Sequence, residues 1–190
     1  MRPRLVIMLK EPVAGRVKTR LGQDIGMTAA AWWFRHQSAA LIRRLQDPRW
    51  ETWLAVAPDT ALHSRCWPAH LPRIAQGRGH LGERMARVLD SSKGPVVLIG
   101  ADIPGVQKQQ ISDVFRKLGR HDLVFGPAKD GGFWLVAAHR TLPKSLFKNV
   151  RWSSPTTLSE TIQSASSTSI DFAAQLSDVD TVQDLRSLGN

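Results

Sequence analysis

At 190 residues, with 42% hydrophobic and 22% charged side chains, the chain has a globular composition and enough length to bury a core, most simply as one domain over 1–190. No apolar run reaches the roughly 18 residues of a membrane span. The stretch after Met1-Arg-Pro-Arg-Leu5 ends at Lys10, too short for a secretory signal, and the lone Cys66 excludes an intramolecular disulfide and a multi-cysteine zinc site, so a cytoplasmic protein is expected.

Leu5–Leu9 is an apolar run that predicts a buried first strand. The loop after it, Lys10-Glu-Pro-Val-Ala-Gly15-Arg-Val-Lys18-Thr-Arg20-Leu, carries Pro12 and Gly15 for a tight turn and then Arg16, Lys18 and Arg20. A long helix is predicted from near Met27, because Met27, Ala31, Phe34, Ser38, Leu41, Ile42 and Leu45 recur at three- and four-residue steps. A strand follows at Thr52–Ala57, a possible short one at Arg73–Ala75, and a helix with the stripe Leu81, Met85, Val88 and Leu89. Pro95–Gly100 predicts the next strand; Ile111, Val114, Phe115 and Leu118 mark another helix. Apolar runs at Leu123–Phe125 and Phe133–Ala138 bracket the turn-rich Gly126–Gly132. Ser154-Pro155 reads as an N-cap with Pro at the first helical position, Ser164–Ser169 as a loop, and Thr181–Asp184 as a short capping sequence. Strands alternating with helices predict an α/β sandwich on a mainly parallel sheet.

In such a fold the loop after the first strand sits at the carboxyl edge of the sheet, where ligands bind. Its cations suit phosphate, since Arg forks onto two oxygens and Lys supplies a mobile point charge. A solvated basic loop is the plain alternative. The loop is not a Walker A motif, which needs Gly directly before the Lys. Asp102 follows the buried run Val96–Gly100 and is the strongest acidic candidate: a carboxylate there can hold Mg²⁺ or Mn²⁺ together with substrate phosphates, or it can simply start a turn. Asp130, Gly131 and Gly132 read either as a hairpin turn or as a close approach to ligand. Asp178 and Asp180, two residues apart, present both carboxylates on one side of an extended segment and either complete a metal site or end a strand.

Gly77-Arg-Gly79-His-Leu-Gly82 matches the dinucleotide fingerprint, with Asp102 twenty residues on, which gives an alternative NAD(P)-binding Rossmann-type oxidoreductase. The match falls mid-chain and leaves the basic first loop unexplained. The net charge of +10 comes from cations scattered from Arg2 to Arg186 with no run of five or six, so no specific nucleic-acid binding is expected. Trp32 and Trp33, on the long helix, and Trp53, in a strand, are expected in core or interface packing rather than as stacking platforms.

Taken together, Lys10-x-Pro12-x-x-Gly15-x-Val-Lys18-Thr-Arg20-Leu, Leu81-Gly-Glu-Arg84-Met, Gly100-Ala-Asp102-Ile-Pro104-Gly and Gly126-Pro-Ala-x-Asp130-Gly-Gly-Phe133 resemble a bacterial glycosyltransferase-A-like family, domain of unknown function 2064. Arg151-Trp152-Ser153 and Asp178-Val-Asp180-Thr-x-x-Asp184-Leu resemble its later segments, so the likeness runs through nearly the whole chain. The resemblance implies the three-layer α/β/α fold of nucleotide-diphospho-sugar transferases, whose relatives include the guanylyltransferases of molybdenum-cofactor and phospholactate metabolism. It implies a nucleotide site built from Lys10, Gly15, Lys18, Arg20, Gly131 and Gly132, catalytic roles for Lys18, Asp102 and Asp130, and a Mg²⁺ or Mn²⁺ ion on Asp102 and Asp180. Phe133 stands where the family commonly has Tyr, Glu11 and Val13-Ala14 alter the first loop, and Val182 replaces a usual Pro. The expected activity is a metal-dependent transfer from a nucleoside triphosphate or nucleotide sugar to a small acceptor. A non-enzymatic nucleotide-binding module is the remaining alternative.

Overall fold

The computed structural model describes residues 2–139 and 142–187. Strands β1 (Arg4–Lys10), β2 (Glu51–Ala57), β3 (Arg73–Ala75), β4 (Val96–Gly100), β5 (Leu123–Pro127), β6 (Phe133–Ala138) and β7 (Ile170–Phe172) form one sheet in the order β3-β2-β1-β4-β6-β5-β7. All pairings are parallel except the two made by β6, with β4 and with β5. The reversal has a local cause: only Ala128–Gly132 separates β5 from β6, and so short a link makes a hairpin, whereas a parallel return needs a dozen or more residues. The sheet is therefore mixed and mostly parallel, as expected.

Helices α1 (Thr19–Ile25), α2 (Met27–Leu45), α3 (Leu81–Asp90), α4 (Lys108–Lys117), α5 (Thr157–Ser164) and α6 (Val182–Ser187) complete the fold. Alternation along β1 divides the core in two. Leu5, Ile7 and Leu9 join Phe34, Leu41 and Ile42 of α2 and Ile111 and Val114 of α4 on one face. Val6 turns to the other face, with Met85, Val88 and Leu89 of α3 and Leu158 and Ile162 of α5 packed alongside. Burial on both faces explains why β1 and β4 read as continuous apolar runs.

Four details differ from the sequence expectations. The loop after β1 contains α1, whose buried residues are only Leu21 and Gly22, too few to make a stripe. β7 is a three-residue edge strand with no fully buried position. Pro155 does not open a helix; it lies in a turn closed by Thr157 N–H to the Ser154 carbonyl at 3.0 Å, and α5 starts at Thr157. Trp32 is 65% exposed, which excludes the core half of the expected core-or-interface packing. Among the described residues no helix is long and apolar enough to cross a membrane.

The sheet order also disposes of the dinucleotide reading. Gly77–Gly82 follows β3, at the sheet's edge, whereas the switch point, where order runs outward in both directions, lies between β1 and β4. The glycines serve side-chain packing instead. A Cβ at Gly77 would sit 2.5 Å from the Arg87 guanidinium, one at Gly79 would meet the Glu83 carboxylate, and one at Gly82 would sit 2.6 Å from Trp152. At the N-terminus of α3, where a pyrophosphate would be expected, the protein supplies its own cap, the His80 N–H donating to Glu83 Oε2 at 3.0 Å.

Candidate functional site

The segments leaving β1 and β4 at the switch point carry the two strongest candidates. After β1 the chain turns through an Arg16 N–H to Val13 carbonyl bond of 3.0 Å, with Gly15 at φ +75°. Val17 and Leu21 are buried and pin the loop on either side of Lys18. Lys18 lies in the left-handed region, φ 47° and ψ 46°, and caps α1 by accepting the Gly22 N–H at 2.8 Å. That backbone is uncommon for a non-glycine residue and costs on the order of 1 kcal/mol.

The Lys18 ammonium reaches both acidic segments. Its Nζ donates to Asp102 Oδ2 at 3.0 Å and to Asp180 Oδ1 at 2.6 Å. The Lys18 side chain is 6% exposed, against 35% and 38% for its partners, so the charge is enclosed by its counter-ions. Burial alone would lower its pKa, but Asp102 and Asp180 outweigh it and hold the ammonium above its ordinary value.

Each carboxylate is held by its own local structure. The turn after Asp102 is clamped by Arg44 of α2, whose Nε donates to the Val106 carbonyl at 2.8 Å and Nη2 to the Pro104 carbonyl at 2.7 Å. Val179, buried between Asp178 and Asp180, donates its N–H to the Asp102 carbonyl at 3.2 Å and ties the two segments together. Asp184 reaches back to accept the N–H groups of Asp180 and Thr181 at 3.1 and 2.8 Å. The Asp184 N–H meets Thr181 Oγ1 at 3.3 Å, the reciprocal cap that the sequence predicted.

Asp102, Asp178 and Asp180 each offer an oxygen within 4.8 Å of the others. Burial, reinforced by Asp180 and Asp102 and opposed by Lys18, pushes the Asp178 carboxyl up to about 6. Three hard oxygen donors fit Mg²⁺ or Mn²⁺. An ammonium already lying against two of them indicates that this position is built for positive charge.

Asp102 and Asp180, with Asp178 beside them, stand at a cavity of about 420 Å³ that Lys10, Arg16, Lys18 and Arg20 also line, with apolar surface from Leu81, Met85 and Phe133. Arg20 is 72% exposed and holds Nη1 3.6 Å from Asp180 Oδ2. Five sequence candidates, Lys10, Lys18, Arg20, Asp102 and Asp180, are therefore brought to one cavity. Gly15, Asp130, Gly131 and Gly132 are not among its lining. Asp130 accepts the Gly132 N–H at 2.9 Å within the β5–β6 turn. Gly131, at φ +84°, makes room for the Pro155 carbonyl, which a Cβ would strike.

Sequence reasoning missed Gln76 and Arg84 as cavity residues. Arg84 carried a signal: Leu81, Arg84, Met85 and Val88 share one helical face, so a cation sits on the inward stripe of α3. Gln76 carried none, since its partners come from β1 and β2.

The chain belongs to the family described as an uncharacterized protein conserved in bacteria, domain of unknown function 2064, whose model matches residues 40–154. That range holds Arg84 and Asp102; Lys18, Asp178 and Asp180 lie outside it. No curated protein matches. Among solved structures, a protein of Desulfovibrio desulfuricans G20, provisionally described as a nucleotide-diphospho-sugar transferase, matches with a TM-score of 0.84 and 26% identity, over 98% of this chain and 86% of its own. A CMP:2-keto-3-deoxy-manno-octonic acid synthetase complexed with CTP has a TM-score of 0.60 and 12% identity, over 99% of this chain and 97% of its own. The manganese complex of Rv0371c from Mycobacterium tuberculosis H37Rv has a TM-score of 0.55 and 16% identity, over 99% and 98%. The last two share the fold. That fold is the glycosyltransferase-A-like one of nucleotidyl- and sugar-nucleotide transferases.

Proposed function

We propose that this chain is a divalent-metal-dependent transferase that takes a nucleoside triphosphate or a nucleotide sugar and passes a nucleotidyl or glycosyl group to a small acceptor. The observation that carries the reading is the convergence of Lys18, Asp102 and Asp180 in the lining of a cation-lined cavity, with Asp178 beside the two carboxylates. In nucleotidyl transfer an acceptor oxygen bonds to the α-phosphorus while the α–β anhydride bond breaks and pyrophosphate leaves. In glycosyl transfer the acceptor bonds to the sugar C1 and a nucleoside diphosphate leaves. Both place growing negative charge on a diphosphate, and both need it neutralised in place.

Asp102 and Asp180, with Asp178 beside them, would hold Mg²⁺ or Mn²⁺, which supplies Lewis-acid neutralisation of phosphate oxygens. Lys10, Lys18 and Arg20 bind the same phosphates from the first loop. Lys18 is placed to divide its donors between substrate oxygens and the carboxylates. Asp130, whose Oδ1 accepts the Gly132 N–H within the β5–β6 turn and which does not line the cavity, is given no step.

The test is a thermal-unfolding screen of nucleoside triphosphates and nucleotide sugars with and without Mg²⁺, since a ligand that binds the folded state raises its apparent stability. The reading expects a particular nucleotide to stabilise more with Mg²⁺ than without. Stabilisation by NADH that ignores the metal, or by no nucleotide at all, contradicts it.

A further inference from the structure

Arg84 is held in the cavity by a side chain with no freedom of its own. Gln76 is 2% exposed, and its Nε2 donates to the Leu9 carbonyl of β1 at 2.9 Å and to the Ala55 carbonyl of β2 at 2.8 Å. An amide placed against two carbonyls must present its nitrogen to them, so its oxygen is forced to the other side. There Gln76 Oε1 accepts from Arg84 Nη1 at 3.1 Å. The strand ends of β1 and β2 thus set the orientation of a guanidinium on α3.

The arginines whose guanidinium groups bond back to the protein differ in how fully they are used. Arg44 donates to two carbonyls. Arg73 donates to four. Arg87 spends both terminal nitrogens, on Gln76 and Arg78 carbonyls. Among the described residues Arg84 makes one side-chain hydrogen bond, and its buried Nε has no partner there. Among the described residues it has no carboxylate in ion-pair contact, although it lines the same cavity as Asp102 and Asp180. Leu81 and Met85, from the same face of α3, line the cavity with it. Apolar neighbours strengthen any electrostatic contact it makes and raise the penalty of leaving it unpaired.

We propose that Arg84, oriented by Gln76, is an oxyanion-binding point on the α3 wall of the cavity, separate from the cations of the first loop. It takes a phosphate or carboxylate group, carried either by the nucleotide or by the acceptor. A guanidinium fixed in place, half-buried and without counter-ion matches a bidentate oxyanion better than a neutral group, which would leave its charge uncompensated. The inference deepens the transferase reading and rests on it for the identity of the cavity as the substrate site.

The experiment removes two of the first-loop cations, leaves Arg16 and Lys18 the same in every variant, and then asks for Arg84. Inorganic phosphate is titrated calorimetrically into the Lys10→Ala/Arg20→Ala double variant and into the triple variant that adds Arg84→Met. Phosphate binds the double variant, and the added change weakens it about tenfold or more. Equal phosphate affinity in the two variants overturns the proposal, as does an absence of phosphate binding to the double variant. Arg84→Met keeps the aliphatic stem, and its fold is checked by thermal unfolding. Arg84→Lys in the same background, which keeps the charge without the fork, serves as the second variant and must weaken phosphate by several-fold.

A further arm separates the two sources. Wild-type protein is saturated with each common nucleoside triphosphate and Mg²⁺, and phosphate is titrated again. Binding that persists through Arg84 assigns the oxyanion to the acceptor. Binding that is lost, together with weaker nucleotide affinity in Arg84→Met, assigns it to the nucleotide. If no nucleotide stabilises the protein while phosphate still depends on Arg84, the transferase reading fails and the oxyanion point stands.

Discussion

Lys18 and Asp180, 162 residues apart in sequence, meet at 2.6 Å through an ammonium that also holds Asp102 at 3.0 Å. One cation from the first loop therefore joins the end of β4 to the segment before α6. The contact gives Lys18 two duties: neutralising the acidic group in the free protein, and meeting substrate phosphate when one arrives.

Removing that cation exposes the first duty. Lys18→Met leaves Asp102, Asp178 and Asp180 within 4.8 Å of one another without their neighbour's charge. The metal-free variant is expected to lose about 1–3 kcal/mol of stability. Mn²⁺ then raises its melting temperature by more than it raises that of the wild type. Unfolding curves in chelator and in MnCl₂ check this, and identical curves for both proteins contradict it.

Asp178 gives the protein a pH dependence of definite sign. Its carboxyl rises from 3.8 to about 6 on folding, so between about pH 4 and 6 the folded state holds more proton than the unfolded. Stability from this group is full at the acid end, falls as pH rises through that window and stays lost above it. Asp178→Asn removes the loss. The carboxylate is only half-buried and is screened by solvent, so the metal-free variant should gain about 1 kcal/mol over wild type at pH 7 and almost nothing at pH 4. Urea unfolding at the two pH values, with chelator present, measures the difference; an equal change at both refutes the assignment.

Gly131→Ala separates the hairpin from the site. The residue lies at φ +84° and its missing Cβ makes way for the Pro155 carbonyl. A side chain there is expected to cost about 1–3 kcal/mol through backbone strain and displacement of the turn before α5. Ligand affinity of the folded variant should be unchanged, because the residue does not line the cavity. A loss of nucleotide affinity without a loss of stability would restore the ligand-facing reading of this turn.

Scattered positive charge predicts only salt-sensitive attraction to polyanions. DNA and RNA should bind weakly at low salt and release near physiological ionic strength, while mononucleotide binding with Mg²⁺ survives. Fluorescence anisotropy against salt concentration decides this, and tight, sequence-selective binding at physiological salt would reverse the order of the two.

How far the sequence carried follows from the kind of interaction involved. The central strands were legible because β1 and β4 are buried on both faces and so are written as unbroken apolar runs. Lys18 and Asp102 were legible from their place after those strands. Asp130 was singled out from turn chemistry and motif resemblance alike, and in the structure its Oδ1 accepts the Gly132 N–H of the turn, outside the cavity lining. Local glycine spacing suggested a dinucleotide site, but Arg87, Glu83 and Trp152 fill the space those glycines open. The Gln76–Arg84 pair was invisible because its logic is tertiary: the amide is oriented by carbonyls from two other strands.

The central claim, that Asp102 and its neighbours hold a divalent metal beside a nucleotide, is tested most directly by Mn²⁺ titration followed by electron paramagnetic resonance. Wild-type and Asp102→Asn protein are compared, each with and without the nucleotide found in the stability screen. The account predicts one Mn²⁺ per wild-type chain, bound more tightly when the nucleotide is present, and at least about tenfold weaker binding in the variant. Equal Mn²⁺ affinity in the two proteins, with the nucleotide making no difference, would contradict it.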